Sequence, residues 1–138
     1  MKQLELSLLC LCLCLLIGPL WAADTPTWQL PTAQAAQRIQ RSCQKSSAGQ
    51  RASQLRCLVE QLGLWTDEQG YNARRIAKIF AGHQQTEELM LVVEYCNDRE
   101  RRLQQKPAQW AYAAYKCATA GTLGQWLREY KRQMQAIK

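Results

Sequence analysis

Four cysteines constrain the fold of this chain more than any other feature of its sequence. Cys43, Cys57, Cys96 and Cys117 all follow an apolar N-terminal segment, and an even number of cysteines in a small chain is typical of a disulfide framework. A metal site is the alternative, but the chain has no Cys-x-x-Cys motif and a single histidine, His83. The pattern therefore favours two disulfides, without a metal or another cofactor.

The N-terminal segment has the pattern of a secretory signal peptide. Lys2 gives it a positive start, Leu8–Ile17 is an unbroken apolar run, and two alanines follow where cleavage is expected. A membrane-spanning helix is less favoured, because the run is short for a bilayer and ends in a Gly-Pro pair. We predict that residues 1–23 are removed on secretion, with three of the seven cysteines, and that residues 24–138 form one extracellular domain.

The chain is basic, with a net charge of +7 at pH 7, and the predicted cleavage leaves this charge unchanged. A basic surface favours anionic partners. The basic residues are mostly scattered, however, and the cluster of Arg99, Arg101 and Arg102 is interrupted by Asp98 and Glu100, which indicates a solvated face. Because no nucleic-acid-binding module is recognisable, nucleic acid is not expected as a partner, and neither is stable insertion into a membrane.

Apolar residues recur every three to four positions along most of the chain, which is the spacing of amphipathic helices. No alternating strand pattern persists, so the predicted class is all-α, a compact bundle of five or six short helices. Leu64–Asn72 is expected to be a connecting loop, Thr86 an N-cap and Pro107 a first helical residue. The predicted helices start at Pro31 or Thr32, at Gln50, at Ala73, at Thr86, at Pro107 and at Thr122.

Two pairs of cysteines are placed symmetrically about predicted turns. Cys43 and Cys57 lie seven residues on either side of Gln50, so the two would face each other in an antiparallel hairpin that turns there. Cys96 and Cys117 have similar positions about the charged, Gln-rich turn of a second hairpin. We therefore predict the disulfides Cys43–Cys57 and Cys96–Cys117.

Catalysis is not expected from this set of residues. After the predicted cleavage, the chain has one histidine and no cysteine outside the predicted disulfides, which leaves no obvious pair of nucleophile and base. Carboxylates such as Glu60 and Glu94 lie among basic residues, as surface pairs do. His83 is interpreted as a solvated loop residue, with a pH-sensitive role as the alternative. We therefore predict that the protein is not an enzyme.

The domain has more aromatic residues than short helices need to seal one another. Short helices that cross at wide angles leave a central void, and a void lined by apolar groups binds apolar ligands. The alternative is that each aromatic residue belongs to an ordinary core, because cores and pockets have overlapping compositions. The aromatic residues in question are Trp65, Phe80, Trp110, Tyr112, Tyr115, Trp126 and Tyr130.

Two segments of the chain resemble the insect odorant-binding proteins. Leu58–Leu64, directly after Cys57, is similar to the segment after the third of the six cysteines that members of this family commonly have. Pro107–Tyr112 and the Tyr-Lys-Cys sequence that ends at Cys117 are close to the family's sequence around its fifth and sixth cysteines. The resemblance extends from Cys43 to Cys117.

The resemblance also implies why this chain has fewer cysteines. Ser53 and Ala108 stand where the family has its second and fifth cysteines, which normally bond to each other, so both halves of one disulfide are absent. This implies the four-cysteine, minus-C type, and it agrees with the two pairings predicted above. The chain departs from the family in a shorter spacing between Cys43 and Ser53 and in a more basic charge than many relatives have.

The function implied by the resemblance is that of a secreted carrier for a small hydrophobic ligand, such as an odorant, a pheromone or a fatty-acid-like molecule. The alternative is a secreted interaction protein of seminal, salivary or haemolymph fluid with a reduced or filled cavity. A receptor or another secreted protein is a further partner to consider. Arg74 is expected to orient an acidic head group. The residues predicted to line the cavity are Leu58, Leu62, Ile76, Phe80, Leu89, Val93, Trp110, Ala114, Trp126 and Tyr130.

Replacement of Ser53 and Ala108 by cysteine tests the position of the absent disulfide. We expect the Ser53→Cys/Ala108→Cys variant to form a third disulfide, because the two positions correspond to bonded cysteines in the family. Mass measurement with and without reduction detects the bond, and each single variant, which keeps one free thiol, is the control. A folded double variant with two free thiols would show that the shortened first hairpin moves position 53 away.

Overall fold

Six helices and a short two-stranded ladder make up residues 27–136, the part of the chain that a computed structural model describes. The all-α prediction is confirmed. The predicted signal peptide and the first residues of the predicted domain lie outside the described residues. The helices are α1 (Ala33–Ser46), α2 (Arg51–Gln61), α3 (Ala73–Ile79), α4 (Thr86–Leu103), α5 (Pro107–Ala118) and α6 (Thr122–Ala136), and the strands between α2 and α3 are β1 (Trp65–Thr66) and β2 (Gly70–Tyr71).

Local side-chain chemistry sets where several helices begin. Thr32 is the N-cap of α1, and its hydroxyl accepts a hydrogen bond from the Ala35 N–H at 3.2 Å. Asn72 caps α3 in the same way, because its carboxamide oxygen accepts from the Arg75 N–H at 3.0 Å. Pro107 is the first residue of α5, where its missing N–H is no loss. The predicted starts of these three helices therefore agree with the structure.

The start of α4 differs from the prediction by one residue. Thr86 is already helical and Gln85 precedes it, without a capping bond from its side chain. The reason is that the Leu89 N–H bonds to the Gln85 carbonyl at 3.1 Å, so the helical ladder begins at that carbonyl. Glu87 and Glu88 still lie in the first turn, where the helix dipole favours negative charge. The N-cap prediction for Thr86 was wrong.

Both predicted disulfides are present. Cys43–Cys57 joins α1 to α2 with a Cα separation of 5.6 Å, and Cys96–Cys117 joins α4 to α5 with a Cα separation of 5.8 Å. Each bond closes a local loop, of 14 and 21 residues respectively. In the chain-entropy model, a disulfide that closes a loop of this length stabilises the fold by about 3 kcal/mol. The disulfides therefore hold two separate helical hairpins together.

The segment predicted as a loop between α2 and α3 forms a tight antiparallel ladder. Trp65 pairs with Tyr71 and Thr66 pairs with Gly70. The backbone of Gly70 has φ +81°, a left-handed conformation that glycine adopts without strain. Strands of two residues are too short to give an alternating pattern, which is why the sequence predicted only a loop.

A buried carboxamide connects this ladder to α4. The Asn97 side chain accepts a hydrogen bond from the Tyr71 N–H at 3.0 Å and donates one to the Tyr71 carbonyl at 2.9 Å. Its own backbone carbonyl accepts from the Trp110 indole N–H at 2.9 Å, which adds α5 to the network. A Cβ atom on Gly70 would lie 2.8 Å from the Asn97 oxygen, so glycine is required for this approach. Asn97 thus joins three elements through one side chain and one carbonyl.

Aromatic and small residues pack around this network. The Trp65 ring contacts Tyr71 and Trp110 edge to face, with centroid distances of 4.8 and 4.6 Å. The Tyr71 hydroxyl donates to the Ala111 carbonyl at 2.8 Å. Ala111 and Ala114 are fully buried in α5, where their small side chains allow neighbouring helices to approach closely. Two of the seven aromatic residues noted in the sequence, Trp65 and Trp110, therefore belong to the core.

An ion pair fastens the turn of the ladder to α2. The Arg56 guanidinium donates hydrogen bonds to both carboxylate oxygens of Asp67, and the Trp65 indole N–H donates to the same carboxylate at 2.8 Å. The hydrogen bond from Arg56 lowers the pKa of Asp67 below its ordinary value. The pair therefore stabilises the fold at pH values above the ordinary pKa of an aspartate carboxyl group. This contribution is lost as the pH falls through the lowered pKa of Asp67.

Removal of the Asn97 carboxamide tests how much the fold depends on it. We expect Asn97→Ala to lower the free energy of unfolding by about 3 kcal/mol, because it leaves the Tyr71 N–H and carbonyl buried and unpaired. Urea unfolding measures the loss. The control is Asp98→Ala, an exposed neighbour on the same helix, which should change stability by less than about 0.5 kcal/mol. Equal losses in the two variants would contradict the assigned role.

Candidate ligand-binding cavity

A cavity of about 560 Å³ lies among the helices and opens to solvent at one side. This volume is within the range of small-molecule sites in proteins. Most of the wall is apolar and consists of Leu30, Pro31, Ala33, Ala36, Leu55, Leu58, Val59, Leu62, Leu64, Tyr71, Ile76, Ile79, Phe80, Val93, Tyr115, Ala118, Leu123, Leu127, Tyr130 and Met134. The polar or charged residues of the wall are Gln37, Gln40, Thr119, Lys131 and Gln135.

The wall has a buried part and a rim. The buried part comes from all over the chain, with Val59 on α2, Phe80 at the end of α3, Val93 on α4 and Leu123 on α6. Each of these side chains is at most 9% exposed. The glutamines and the lysine are half-buried or exposed, so they lie at the solvent side. The cavity therefore has an apolar interior and a more polar opening.

Six of the ten residues predicted to line a cavity belong to this wall. They lie on α2, α3, α4 and α6, or directly after α2 or α3, and they meet at one place although they are distant in sequence. For these six residues, the apolar spacing thus identified side chains that border the cavity. These residues are Leu58, Leu62, Ile76, Phe80, Val93 and Tyr130.

The other four predicted residues lie outside the wall. Trp110 packs on Trp65 and donates to a backbone carbonyl, while Leu89 and Ala114 are buried in the helix core. Trp126 stacks on the ring of His83 instead, at a centroid distance of 4.0 Å. These residues lie on the same helices as wall residues, but their side chains pack against other residues of the protein and do not face the cavity. Arg74, which was expected to orient a head group, is exposed and is not part of the wall either.

A segment before α1 forms part of the cavity wall. The Trp28 indole N–H donates to the Leu62 carbonyl at 3.1 Å, and its ring lies 5.6 Å from the Arg75 guanidinium carbon. Lys78 donates to the Trp28 carbonyl at 3.2 Å. A Cβ atom on Gly63 would lie 2.8 Å from the indole nitrogen, so glycine leaves room for the ring. This segment, residues 28–31, is called the strap; it places Leu30 and Pro31 in the cavity wall.

Aromatic contacts hold α6 against the end of α3. The Phe80 ring lies 6.1 Å from Tyr130 and 6.2 Å from Trp126, measured between centroids. His83 extends the cluster through its stacking contact with Trp126. Because Phe80 and Tyr130 both belong to the cavity wall, this cluster positions α6 as one side of the cavity.

A model of the PBP/GOBP family matches residues 29–120, which is more than half of the chain. The chain belongs to this family. It is the family of insect odorant- and pheromone-binding proteins, a family of binding and carrier proteins rather than of enzymes. Comparison with curated proteins gave no significant match, and comparison with solved structures gave none either.

The family match confirms the resemblance seen in the sequence, while the minus-C type stays a prediction. The matched range covers the strap from Gln29 onward, α1 to α5 and both disulfides. It ends before α6, the helix that supplies Leu123, Leu127, Tyr130 and Lys131 to the wall. One side of the cavity of this PBP/GOBP protein is therefore built by a helix beyond the matched range.

Two tyrosines of the wall are held in their neutral form. Burial raises the pKa of the Tyr71 hydroxyl, and burial also raises the pKa of Tyr130. Because an ordinary tyrosine is already neutral at pH 7, a further increase keeps both hydroxyls protonated over the whole physiological range. Among the described wall residues, charge is thus confined to Lys131.

The sequence contained a signal for several wall residues that were not predicted. Leu127 and Met134 continue the apolar stripe of α6, and Ala33 and Ala36 share the face of α1 that carries Cys43. Nothing in the sequence distinguished the strap, because its place depends on contacts with α2 and α3 that are distant along the chain. Long-range contacts of this kind leave no local pattern.

The described part of the chain contains neither a candidate metal-binding cluster nor a helix suited to span a membrane. Residues 27–136 contain no group of three or more histidine, cysteine, aspartate and glutamate side chains placed to hold a metal ion. Within the same range, none of the helices combines the length and the hydropathy that a membrane span requires.

Loss of the Trp28 side chain should release the strap. We expect Trp28→Ala to lower the free energy of unfolding by about 1–2 kcal/mol, because it removes one hydrogen bond and one cation–π contact. Amide hydrogen exchange of residues 27–36, measured by mass spectrometry, should become faster. Trp28→Phe is the control, since it keeps a ring over Arg75 and should show a smaller effect. Unchanged exchange in Trp28→Ala would contradict the role of this anchor.

Proposed function

We propose that this protein is a secreted carrier that binds one small hydrophobic ligand, such as an odorant, a pheromone or a fatty-acid-like molecule, inside the cavity. The observation that supports this most is an apolar cavity of about 560 Å³ in a member of a carrier family. The signal-peptide pattern of the N-terminus and the two disulfides support secretion.

Burial of apolar surface would supply the affinity. Each buried methylene contributes about 0.8 kcal/mol, so a chain of about ten methylenes gains about 8 kcal/mol. The loss of translational and rotational freedom offsets part of this gain. A free energy of about 8 kcal/mol corresponds to a dissociation constant of about 1 µM, so dissociation constants weaker than about 1 µM are expected for a ligand of this size. No covalent step is needed, and the six predicted residues of the wall are proposed to contact the ligand.

The alternative, an interaction protein with a reduced or filled cavity, has less support. The spacing between Cys43 and Ser53 is shorter than in the family, yet α1, α2 and the strap still bound a sizeable cavity. An apolar patch of α4, formed by Leu91, Val92 and Tyr95, is exposed and is compatible with a protein partner. This surface is separate from the cavity, so contact with a partner and transport of a ligand do not exclude each other.

Displacement of a neutral fluorescent probe is the suitable measurement. Among residues 27–136, none of the tryptophans belongs to the wall, so quenching of tryptophan fluorescence would report on binding only indirectly. N-phenyl-1-naphthylamine is neutral and apolar, and its emission rises in an apolar site. A folded protein that never takes up this probe or any apolar competitor would contradict the proposed function.

Partial filling of the cavity should weaken binding. We expect Leu58→Trp to weaken binding of N-phenyl-1-naphthylamine by about tenfold or more, about 1.4 kcal/mol or more, because the larger ring occupies space in the wall. Leu91→Trp is the matched control, since the same exchange lies on the exposed face of α4 and should leave affinity unchanged. Circular dichroism verifies that both variants fold. Equal affinity in the wild type and a folded Leu58→Trp variant would place binding elsewhere.

A further inference from the structure

Charge is distributed unevenly over the cavity wall. Lys131 is the one charged side chain among the described residues that line the cavity, and no carboxylate is among them. The interior is formed by buried aliphatic and aromatic groups such as Val59, Phe80 and Val93. An ammonium group at an otherwise neutral, apolar site favours a ligand that brings one negative charge.

Lys131 lies within a polar rim built by two helices. On α6, Lys131 and Gln135 are four residues apart and share one face of the helix. On α1, Gln37 and Gln40 are three residues apart and also share a face. The amide groups supply hydrogen-bond donors in the same cavity wall as the ammonium group. The rim can thus hold a polar head while an apolar chain occupies the interior.

The ammonium group of Lys131 has no acidic partner in the described part of the chain. The three salt bridges of residues 27–136 involve Arg56 and Arg99, and none involves Lys131. Glu129, the nearest acid along α6, is two residues away and therefore faces a different side of the helix. The charge of Lys131 is thus available to a ligand at the opening.

We propose that the cavity prefers amphiphiles with one apolar chain and an anionic carboxylate head, and that Lys131 is the residue that selects this head. This proposal rests on the proposed carrier function and specifies the class of ligand. It replaces Arg74, which lies outside the wall, as the cation that meets an acidic head. The carboxylate pairs with the Lys131 ammonium and accepts hydrogen bonds from the glutamine amides of the rim.

A pair of ligands that differ only in the head group tests the proposal. Dodecanoate and dodecan-1-ol have the same chain, so their relative affinities isolate the effect of the carboxylate. Each competes with N-phenyl-1-naphthylamine at low ionic strength and at pH 7.5, where the acid is ionised. We expect the wild type to bind dodecanoate about three- to fivefold more tightly than dodecan-1-ol, which is the upper part of the range for an exposed ion pair. Added salt should reduce this ratio.

Variants on α6 identify the responsible residue. Lys131→Gln should bring the ratio close to one and Lys131→Glu should invert it. Because each affinity is compared with that for dodecan-1-ol in the same variant, the ratio corrects for any general change in binding. Arg132→Gln removes the same charge from the adjacent position, outside the wall, and should keep the wild-type ratio.

The outcomes separate this proposal from the carrier function. Equal binding of acid and alcohol by the wild type, or an equal loss of preference in Arg132→Gln and Lys131→Gln, would overturn the role of Lys131 and leave the carrier function in place. If the folded wild type binds the probe and neither ligand displaces it, the preference fails. If the folded wild type takes up neither the probe nor either ligand, the carrier function fails as well.

Discussion

The hydrogen bonds between the Asn97 carboxamide and the Tyr71 backbone are the contact on which the rest of the structure depends. They anchor the ladder that follows α2 to α4, and the Trp110 indole extends the network to α5. Tyr71 is held by its backbone and by its hydroxyl, so its ring has a fixed place in the cavity wall. Stability of the core and the shape of the cavity are thus controlled by the same buried polar groups.

Local patterns in the sequence predicted the elements but not the contacts between distant elements. Cysteines placed symmetrically about turns predicted both disulfides, and Thr32 and Pro107 predicted the starts of α1 and α5, because these signals act over a few residues. Apolar spacing identified which faces of the helices are buried. It did not separate Phe80, which lines the cavity, from Trp110, which packs into the core, because the spacing is the same for both.

The two disulfides and the cavity divide the molecule into parts with different roles. Each disulfide ties together one helical hairpin, and the cavity lies where the two hairpins, α3 and α6 meet. The range that matches the PBP/GOBP family model, residues 29–120, contains both hairpins. The charged rim residue Lys131 lies outside this range, and its importance was not visible in the sequence because it is one of many scattered basic residues.

The position of α6 has a consequence for how such a protein can diversify. Neither disulfide includes this helix, and side-chain contacts around Phe80 attach it to the end of α3. Substitutions on the cavity side of α6 can therefore change which ligands the cavity accepts without disturbing the two disulfide-linked hairpins. A set of engineered carriers can therefore be built by varying the sequence of α6 while the two disulfide-linked hairpins are kept constant.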